Sequence, residues 1–441
     1  MSYQFMARIC QTFAIGVCTF TIPVVYAENI QSFNDAFNKI QSYQGQAQFA
    51  EKRQQSAELN IQQSRLWQNP SLSISQDGFG ANQDQEFNFA ISQPLDVFGQ
   101  RKLNKKMAQT YEAQAQLQQK LWLAQSKLVV KFAWSQFALA EVEKTVYAAQ
   151  LKVSQSNLDS AKKRYQAGSI ALVDYERSQI EALENQRLYQ QAVLNHQVSA
   201  RQLSNLWGET STEINLRQNS LPWPDQSDNI VKNYIAEGWL EKLYALNIEQ
   251  STQKIENLRV MSRPNPTVNV GMTRTKTPNE NNETTLGLGV NIPLNIFNRQ
   301  QYSIPIAQNQ KLLKDQQQQR ELKQQILDIA NHMHQIKGLR MQFDSATSQI
   351  RLAEQVQNRT LEGFQAGKFS ITDVQQASSQ LQTIRLGQLQ ILRQAWQSAL
   401  SAEALSLGTN YEQISSSDAY TQLNKLAVSQ IEDLMNGGVQ Q

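Results

Sequence analysis

Apolar and small residues recur every three or four positions through a long stretch of this chain that contains neither Gly nor Pro. The stretch covers residues 101–167, and Leu121, Ala124 and Leu128 mark its seam. A second apolar set, which includes Val129 and Phe137, lies beside that seam. The pattern predicts one continuous helix that contacts neighbouring helices on two sides. At ~1.5 Å per residue, such a helix reaches on the order of 100 Å.

The second half of the chain repeats this helical pattern. A second long helix is predicted at about 305–361, and shorter helices flank the two long ones at about 32–67, 173–206, 230–262 and 372–407. Two of the shorter helices placed end to end match one long helix in length. The pattern therefore predicts a cylinder in which each half of the chain supplies one continuous and one broken helical stave.

Alternating apolar and polar residues predict two β-hairpins, one in each half. Leu72 and Ile74 alternate with serines, and Phe87, Phe89 and Ile91 alternate with polar residues after a Gly-rich loop. The second half repeats the alternation around residues 268–272 and 286–292. Strands of about ten residues with one apolar face are typical of transmembrane β-strands. Four strands cannot close a barrel, so strands in a membrane require several chains to share one.

Short motifs recur about 200 residues apart and divide the chain into two repeats. The segment QPLDVFG at 93–99 is echoed by IPLNIFN at 292–298, and YQAG at 165–168 is echoed by FQAG at 364–367. Such self-similarity indicates a duplicated supersecondary unit. We predict a first repeat at 28–215, a linker at 216–229, a second repeat at 230–408 and a C-terminal tail at 409–441.

Residues 1–27 have the pattern of a signal peptide. Arg8 supplies a basic start, an apolar run follows, and Val25-Tyr26-Ala27 forms a small-x-small cleavage site. Both cysteines of the chain, Cys10 and Cys18, lie inside this segment. The residue before Cys18 is not the small residue that a lipoprotein signal requires. We therefore expect an exported mature protein without disulfides, thiolate metal ligands or a cysteine nucleophile.

The charge of the chain is nearly balanced, with 41 basic and 38 acidic residues. This balance gives no support for nucleic acid as a partner. No phosphate-binding loop, nucleophile elbow or metal-ligand motif occurs, so we predict no enzyme activity and no cofactor. His332 and His334 point to different faces of a helix, and His196 is isolated in the sequence, so no metal site is predicted.

These features together resemble the TolC family of outer-membrane efflux proteins. The resemblance covers residues from about 30 to 408 and rests on the doubled layout, the Asn-Pro before each first strand, the Pro-Leu-x-x-Phe after each second strand and the repeated Gly-x5-Asp turns. It is strongest to the CzcC-like branch, the outer-membrane components of heavy-metal cation efflux systems. Members of that branch usually have Gly-Gly-Lys-Arg or a similar sequence near the end of the second strand. This chain has Phe98-Gly99-Gln100-Arg101 at that place.

The resemblance implies a mainly α protein with a small β part: a long-helix α-barrel, plus four strands per chain in a shared trimeric 12-stranded β-barrel. It implies a homotrimer in the outer membrane of a Gram-negative cell, in contact with outer-membrane lipid. Its helical tunnel in the periplasm would meet a periplasmic adaptor protein and an inner-membrane pump. The implied function is a passive exit duct of a tripartite heavy-metal efflux system. The alternatives are a duct for drug efflux or type I protein secretion, and a soluble periplasmic coiled-coil adaptor.

The predicted functional residues lie in the two Gly-containing turns. Gly168 and Gly367 are expected to reverse the chain at the periplasmic tip, where Asp174 and Asp373 either line the pore as carboxylate rings or act as helix N-caps. The resemblance further implies that an adaptor contacts these turns through Tyr165, Phe364 and Lys368. The family often has a second acid three residues after the Asp, where this chain has Arg177 and Gln376.

A basic cluster marks the start of the first long helix. Arg101, Lys102, Lys105 and Lys106 follow directly after the second predicted strand. Positive charge at a helix N-terminus is mildly unfavourable with respect to the helix dipole. We interpret the cluster as a surface that faces lipid headgroups, the tunnel wall or solvent.

Overall fold

The computed structural model describes residues 30, 32–43, 45–80, 83–209, 214, 223–224, 227–278, 281–425 and 429. The predicted signal peptide at 1–27 lies outside the described residues, as does most of the predicted linker at 216–229. Over these described residues the fold is mainly helical with four strands, which confirms the predicted class.

The order of helices and strands is the same in the two halves of the chain: two short helices, a hairpin, a long helix and a further helix. The first half contains α1 (Phe33–Tyr43), α2 (Gln46–Ser64), β1 (Ser71–Asp77), β2 (Gln85–Pro94), α3 (Gln100–Gln166) and α4 (Leu172–Asn205). The second half contains α5 (Ser227–Glu237), α6 (Trp239–Met261), β3 (Thr267–Lys276), β4 (Glu283–Asn291), α7 (Ser303–Gln365) and α8 (Ile371–Ser406), and a short α9 (Tyr411–Ser415) follows.

Two helices that the sequence predicted as continuous are each broken in two. The predicted helix at 32–67 divides into α1 and α2, and that at 230–262 divides into α5 and α6. The breaks fall at Gly45 and Gly238, whose φ angles of 61° and 60° are left-handed. A residue in this conformation cannot continue a right-handed helix, so the axis is interrupted there.

The long helices pack into one layer whose outer members are α4 and α7. Helix α3 contacts α4 and α8, and α8 contacts α7. Nearer the sheet, α3 packs against α2 and α6, and α6 packs against α7. The predicted seam of α3 is buried at Leu121, Leu128 and Leu139. Among the described helices, none combines the length and apolar character needed to cross a membrane.

The main hydrophobic core lies where the short helices meet α3 and the end of α8. Its largest fully buried side chains include Trp207 and Phe137. Beside it, the Lys131 ammonium lies 2.5 Å from a carboxylate oxygen of Glu403, and the Ser227 hydroxyl donates to the same carboxylate at 2.7 Å. Glu403 is almost fully buried. A buried carboxylate requires such partners. Because Lys131, Ser227 and Glu403 lie on α3, α5 and α8, these contacts link the three helices.

The two predicted hairpins form one antiparallel sheet in the order β1-β2-β3-β4. Its centre is the pairing of β2 with β3, from Gln85 opposite Lys276 to Pro94 opposite Thr267. These strands come from different repeats, so the sheet joins the two halves of the chain. Within the described protomer, one edge of β1 and one edge of β4 have no strand partner.

Candidate functional site

The two turns at the far end of the long helices have the same backbone structure. Gly168 and Gly367 follow α3 and α7 with φ angles of 70° and 78°. In each turn an amide donates back to a carbonyl five residues earlier, the bond of a Schellman cap. These bonds join Ser169 to Arg164 at 2.8 Å and Lys368 to Gly363 at 2.8 Å. The turns therefore require left-handed residues, and Gly adopts that conformation without steric cost.

A cation–π contact joins the two turns. The guanidinium carbon of Arg164 lies 4.4 Å from the ring centroid of Phe364, which is only 1% exposed. Next to this contact, the rings of Tyr165 and Tyr175 stack with centroids 5.6 Å apart. Phe364 also belongs to a small buried cluster with Ala161, Ile371 and Val374. The tip is thus held by side chains of both repeats.

The two tip aspartates have different surroundings. Asp373 is exposed and accepts hydrogen bonds from the Ser370 hydroxyl at 2.7 Å and the Ser370 amide at 2.8 Å. These bonds stabilise the carboxylate and lower the pKa of Asp373 below its ordinary value of 3.8. Asp174 is half-buried and lies 3.7 Å from the Arg177 guanidinium.

The interpretation of the aspartates as helix N-caps is wrong. The N-cap of α8 is Ser370, and Asp373 is the third helical residue in a reciprocal capping box. The N-cap of α4 is Ala171, whose side chain makes no capping hydrogen bond. Asp373 therefore belongs to a capping box, whereas Asp174 has only the Arg177 guanidinium near it. The Asp373 carboxylate still faces solvent.

Of the other predicted site residues, Tyr165, Gly168, Gly367 and Lys368 are exposed, while Phe364 is buried beneath Arg164. The sequence analysis did not single out Arg164, Tyr175 or Ser370. Only Ser370 had a local signal, since Ser-Ile-Thr-Asp at 370–373 is a capping-box sequence.

The histidines show no arrangement that would bind a metal. Among the described residues, no group of three or more His, Cys, Asp or Glu side chains could hold a metal ion. His196, isolated in the sequence, has a partner in the fold: its Nε2 lies 2.6 Å from a Glu141 carboxylate oxygen. Burial, and secondarily the charge of Lys144, lowers the pKa of His196, while Glu141 raises it. This cluster connects α3 to α4.

The register of the sheet places its large apolar side chains on one face. Two complete rows cross the four strands, one of Ile74, Phe89, Met272 and Leu286, and the next of Leu72, Ile91, Val270 and Leu288. The opposite face carries small and polar residues in rows such as Ser73, Ala90, Gly271 and Gly287. Leu286 and Leu288 are 84% and 79% exposed. The described part of the protomer therefore leaves this apolar face uncovered.

The second repeat matches a known protein family. Residues 244–409 match the family model described as Outer membrane efflux protein. The chain is also similar to the cobalt-zinc-cadmium resistance protein CzcC of Cupriavidus metallidurans. The two are 25% identical over 369 residues, which are 81% of this chain and 85% of CzcC.

Solved structures share the fold over most of the chain. The outer membrane protein VceC from Vibrio cholerae has a TM-score of 0.64 at 14% identity, covering 86% of this chain and 97% of VceC. CusC has a TM-score of 0.63 at 14% identity, covering 86% of this chain and 92% of CusC. These comparisons confirm the predicted resemblance, and the family consists of transport components that are not enzymes.

Proposed function

We propose that this protein is a passive exit duct in the outer membrane. The premise is that residues 244–409 match the model of the outer membrane efflux protein family. Three copies would share one twelve-stranded barrel, and their helices would form a tunnel in the periplasm. The two repeats would occupy residues 28–215 and 230–408, after removal of a signal peptide at 1–27.

The observation that carries this proposal is the sheet with one uncovered apolar face and two unpaired edges. An exposed apolar face that extends across four strands indicates a surface that lipid or protein covers. In lipid, every backbone amide and carbonyl needs a hydrogen-bond partner, so the free edges of β1 and β4 must pair with other copies. Three copies supply twelve strands, within the range in which single barrels close.

The helical layer supports the same assembly. Its two outer helices expose apolar side chains at heptad-related spacing, on α4 at Val173, Ile180 and Leu194, and on α7 at Leu313, Leu327 and Met341. Such stripes are typical of helices that pack against a further helix. If α7 of one copy packs against α4 of the next, the apolar stripes are covered and the tunnel closes.

The proposed contact with a periplasmic adaptor and an inner-membrane pump lies at the tip. Tyr165, Gly168 and Lys368 are exposed there and available to a partner. Asp373 would form a ring of three carboxylates that attracts cations and repels anions. The Ser370 hydrogen bonds that lower the pKa of Asp373 favour its charged form, which opposes the like-charge repulsion within such a ring.

The proposed substrates are divalent heavy-metal cations. The support is the similarity to CzcC, a cobalt-zinc-cadmium resistance protein, over 81% of this chain. The test compares growth of a gene deletion and its complemented strain on zinc, cadmium, cobalt, copper and a panel of drugs. Metal sensitivity that the gene restores supports the assignment. Unchanged metal tolerance with drug sensitivity would replace it with drug efflux.

The duct itself is tested separately by fractionation. We expect the mature protein in the outer-membrane fraction after carbonate extraction. Recovery in the soluble periplasmic fraction would remove every duct function and favour a soluble coiled-coil adaptor.

A further inference from the structure

A groove between the start of α3 and the end of α6 has a strongly basic wall. Its volume is about 560 Å³, which is in the usual range for small-molecule sites, roughly 300–1,000 Å³. We call it the basic groove. The basic side chains that line it are Lys102, Lys105, Lys106, Arg259 and Arg263.

These charges are mostly uncompensated within the protomer. Lys106 pairs with Glu249 at 2.8 Å, and the acidic residue among the lining side chains is Glu256. In the part of the chain that the structure describes, Lys102, Lys105, Arg259 and Arg263 have no acidic side chain within ion-pairing distance. The basic groove therefore attracts an anion.

The floor of the basic groove is apolar. Phe98, Leu103 and Val260 line it, and the Arg263 guanidinium lies over the Phe98 ring, 5.5 Å from the centroid. A groove with cationic walls and an apolar floor fits a ligand that is both anionic and lipidic better than a hydrated inorganic ion.

The position of the basic groove matches the surface of a membrane that the sheet would span. Five residues separate the end of strand β2 at Pro94 from the start of α3, and β3 begins at Thr267, shortly after α6 ends. The lining residues of α3 reach only to Gln109, which at ~1.5 Å per residue is about 15 Å of helix. Aromatic residues, which form girdles at the membrane interfaces of β-barrels, flank the same end of the sheet. They are Trp67, Phe297 and Tyr302, all of them exposed. The guanidinium carbon of Arg101 lies 4.0 Å from the centroid of the Trp67 ring.

We propose that the basic groove binds the phosphate of an anionic phospholipid in the membrane leaflet nearest the helices. The inference rests on the proposed membrane role of the sheet. Lys102, Lys105 and Arg259 contact the headgroup, while Phe98 and Leu103 contact the first carbons of an acyl chain. The bound lipid fixes the depth of the sheet at its junction with the helices.

The test measures lipid retained by the purified full-length mature protein. The protein is incubated in mixed micelles with equal amounts of phosphatidylglycerol and phosphatidylcholine, re-purified, and its bound lipid is quantified. We expect retention of phosphatidylglycerol over phosphatidylcholine. Because each basic residue near an anionic lipid contributes about fivefold in binding, the double variant K102Q/R259Q should lose the preference by roughly tenfold or more.

The matched control is K120Q/K242Q. Lys120 and Lys242 lie on the same two helices and line the next groove along them, farther from the sheet. This variant should retain the preference of the unchanged protein. An equal loss in both double variants would mean that net charge, not the basic groove, selects the lipid, and would overturn the inference.

Two further measurements keep the inference separate from the proposed duct. Excess inorganic phosphate should not displace the lipid, and complete displacement would reassign the groove to free anions. The unchanged protein is also reconstituted into liposomes. Insertion without phosphatidylglycerol preference overturns only this inference, whereas failure to insert removes the duct proposal as well.

Discussion

Arg164 in the last turn of α3 lies against the ring of Phe364 in the last turn of α7, with 4.4 Å between the guanidinium carbon and the ring centroid. The two residues are 200 positions apart in the sequence. Phe364 has the place in the second turn that Tyr165 has in the first, and Arg164 is the residue directly before Tyr165. The two turns of one chain are therefore not equivalent, and the contact between Arg164 and Phe364 holds them together.

Replacing Arg164 with Ala should loosen the second turn. A cation–π contact of this kind contributes about 0.5–2 kcal/mol, so amides of residues 363–374 should exchange hydrogen roughly 2- to 30-fold faster. Lys163→Ala is the control, because Lys163 is an exposed neighbour in the same helical turn. Equal acceleration in both variants would show that Arg164 acts only through its charge at the helix end.

Gly168→Ala should lower the thermal midpoint of the assembled protein. No atom lies within 4 Å of the position of an added Cβ, so the cost comes from the left-handed backbone alone and is roughly 1–2 kcal/mol. Gly338→Ala supplies a control of opposite sign. Gly338 lies inside α7 with equally open space, and Ala there should stabilise the helix by about 0.5–1 kcal/mol. A rise of the midpoint in both variants would contradict the turn geometry.

Ser370→Ala should raise the pKa of Asp373, because the variant removes the hydroxyl that stabilises the carboxylate. Since the pKa of Asp373 in the folded protein is lowered, the charge and its contribution to stability are present above the ordinary pKa of 3.8. Both are lost only as the pH falls through the lower folded value. Ser370→Ala moves that loss to higher pH.

The measurement for this prediction is cation selectivity in planar bilayers as a function of pH. The pH midpoint of cation selectivity should be higher in Ser370→Ala than in the unchanged protein, because the hydroxyl that lowers the pKa of Asp373 is gone. Thr372→Ala, an exposed change in the same helical turn, should leave the midpoint in place. Selectivity that is unaffected by Asp373→Asn would remove the proposed carboxylate ring.

Charge on the apolar face of the sheet should prevent insertion, whereas charge on the other face should be tolerated. Leu288→Arg places a cation at the β4 end of an apolar row, at a cost of about 2–4 kcal/mol near the centre of a bilayer. Thr285→Arg lies on the same strand but on the polar face, opposite Thr273. Heat-stable oligomers recovered from membranes should disappear only for Leu288→Arg. Equal recovery of both variants would place the sheet outside lipid.

The sequence predicted the helices and the strand faces because both depend on local periodicity. Leu286 and Leu288 alternate with Gly287 and Gly289, and the register places these two pairs on opposite faces as the alternation requires. The breaks at Gly45 and Gly238 were missed because a single Gly inside a helical pattern is often tolerated.

Contacts between the repeats could not be predicted in the same way. The pairing of Phe89 with Met272 and the contact of Arg164 with Phe364 join residues far apart in sequence. Lys131 and Glu403, which lie 272 residues apart, form their buried pair only when α3 and α8 meet. Such contacts depend on how the repeats pack, and neither repeat alone contains that information.

The central claim is that several copies share one sheet through the edges of β1 and β4. Within one copy these strands are separated by β2 and β3, so they are about 14 Å apart at ~4.8 Å per strand spacing. A disulfide needs Cα atoms within about 7 Å. Any disulfide between β1 and β4 must therefore join two copies.

The most direct measurement is oxidative cross-linking of cysteine pairs across these edges. One cysteine replaces Ser71, Ser73 or Ser75, and the other replaces Thr285, Gly287 or Gly289, all on the polar face. The predicted mature chain has no cysteine of its own, so the background is low. We predict that at least one pair yields a covalent ladder that ends at three copies. A ladder that ends at two copies, or monomers for every pair in membranes, would contradict the shared trimeric barrel.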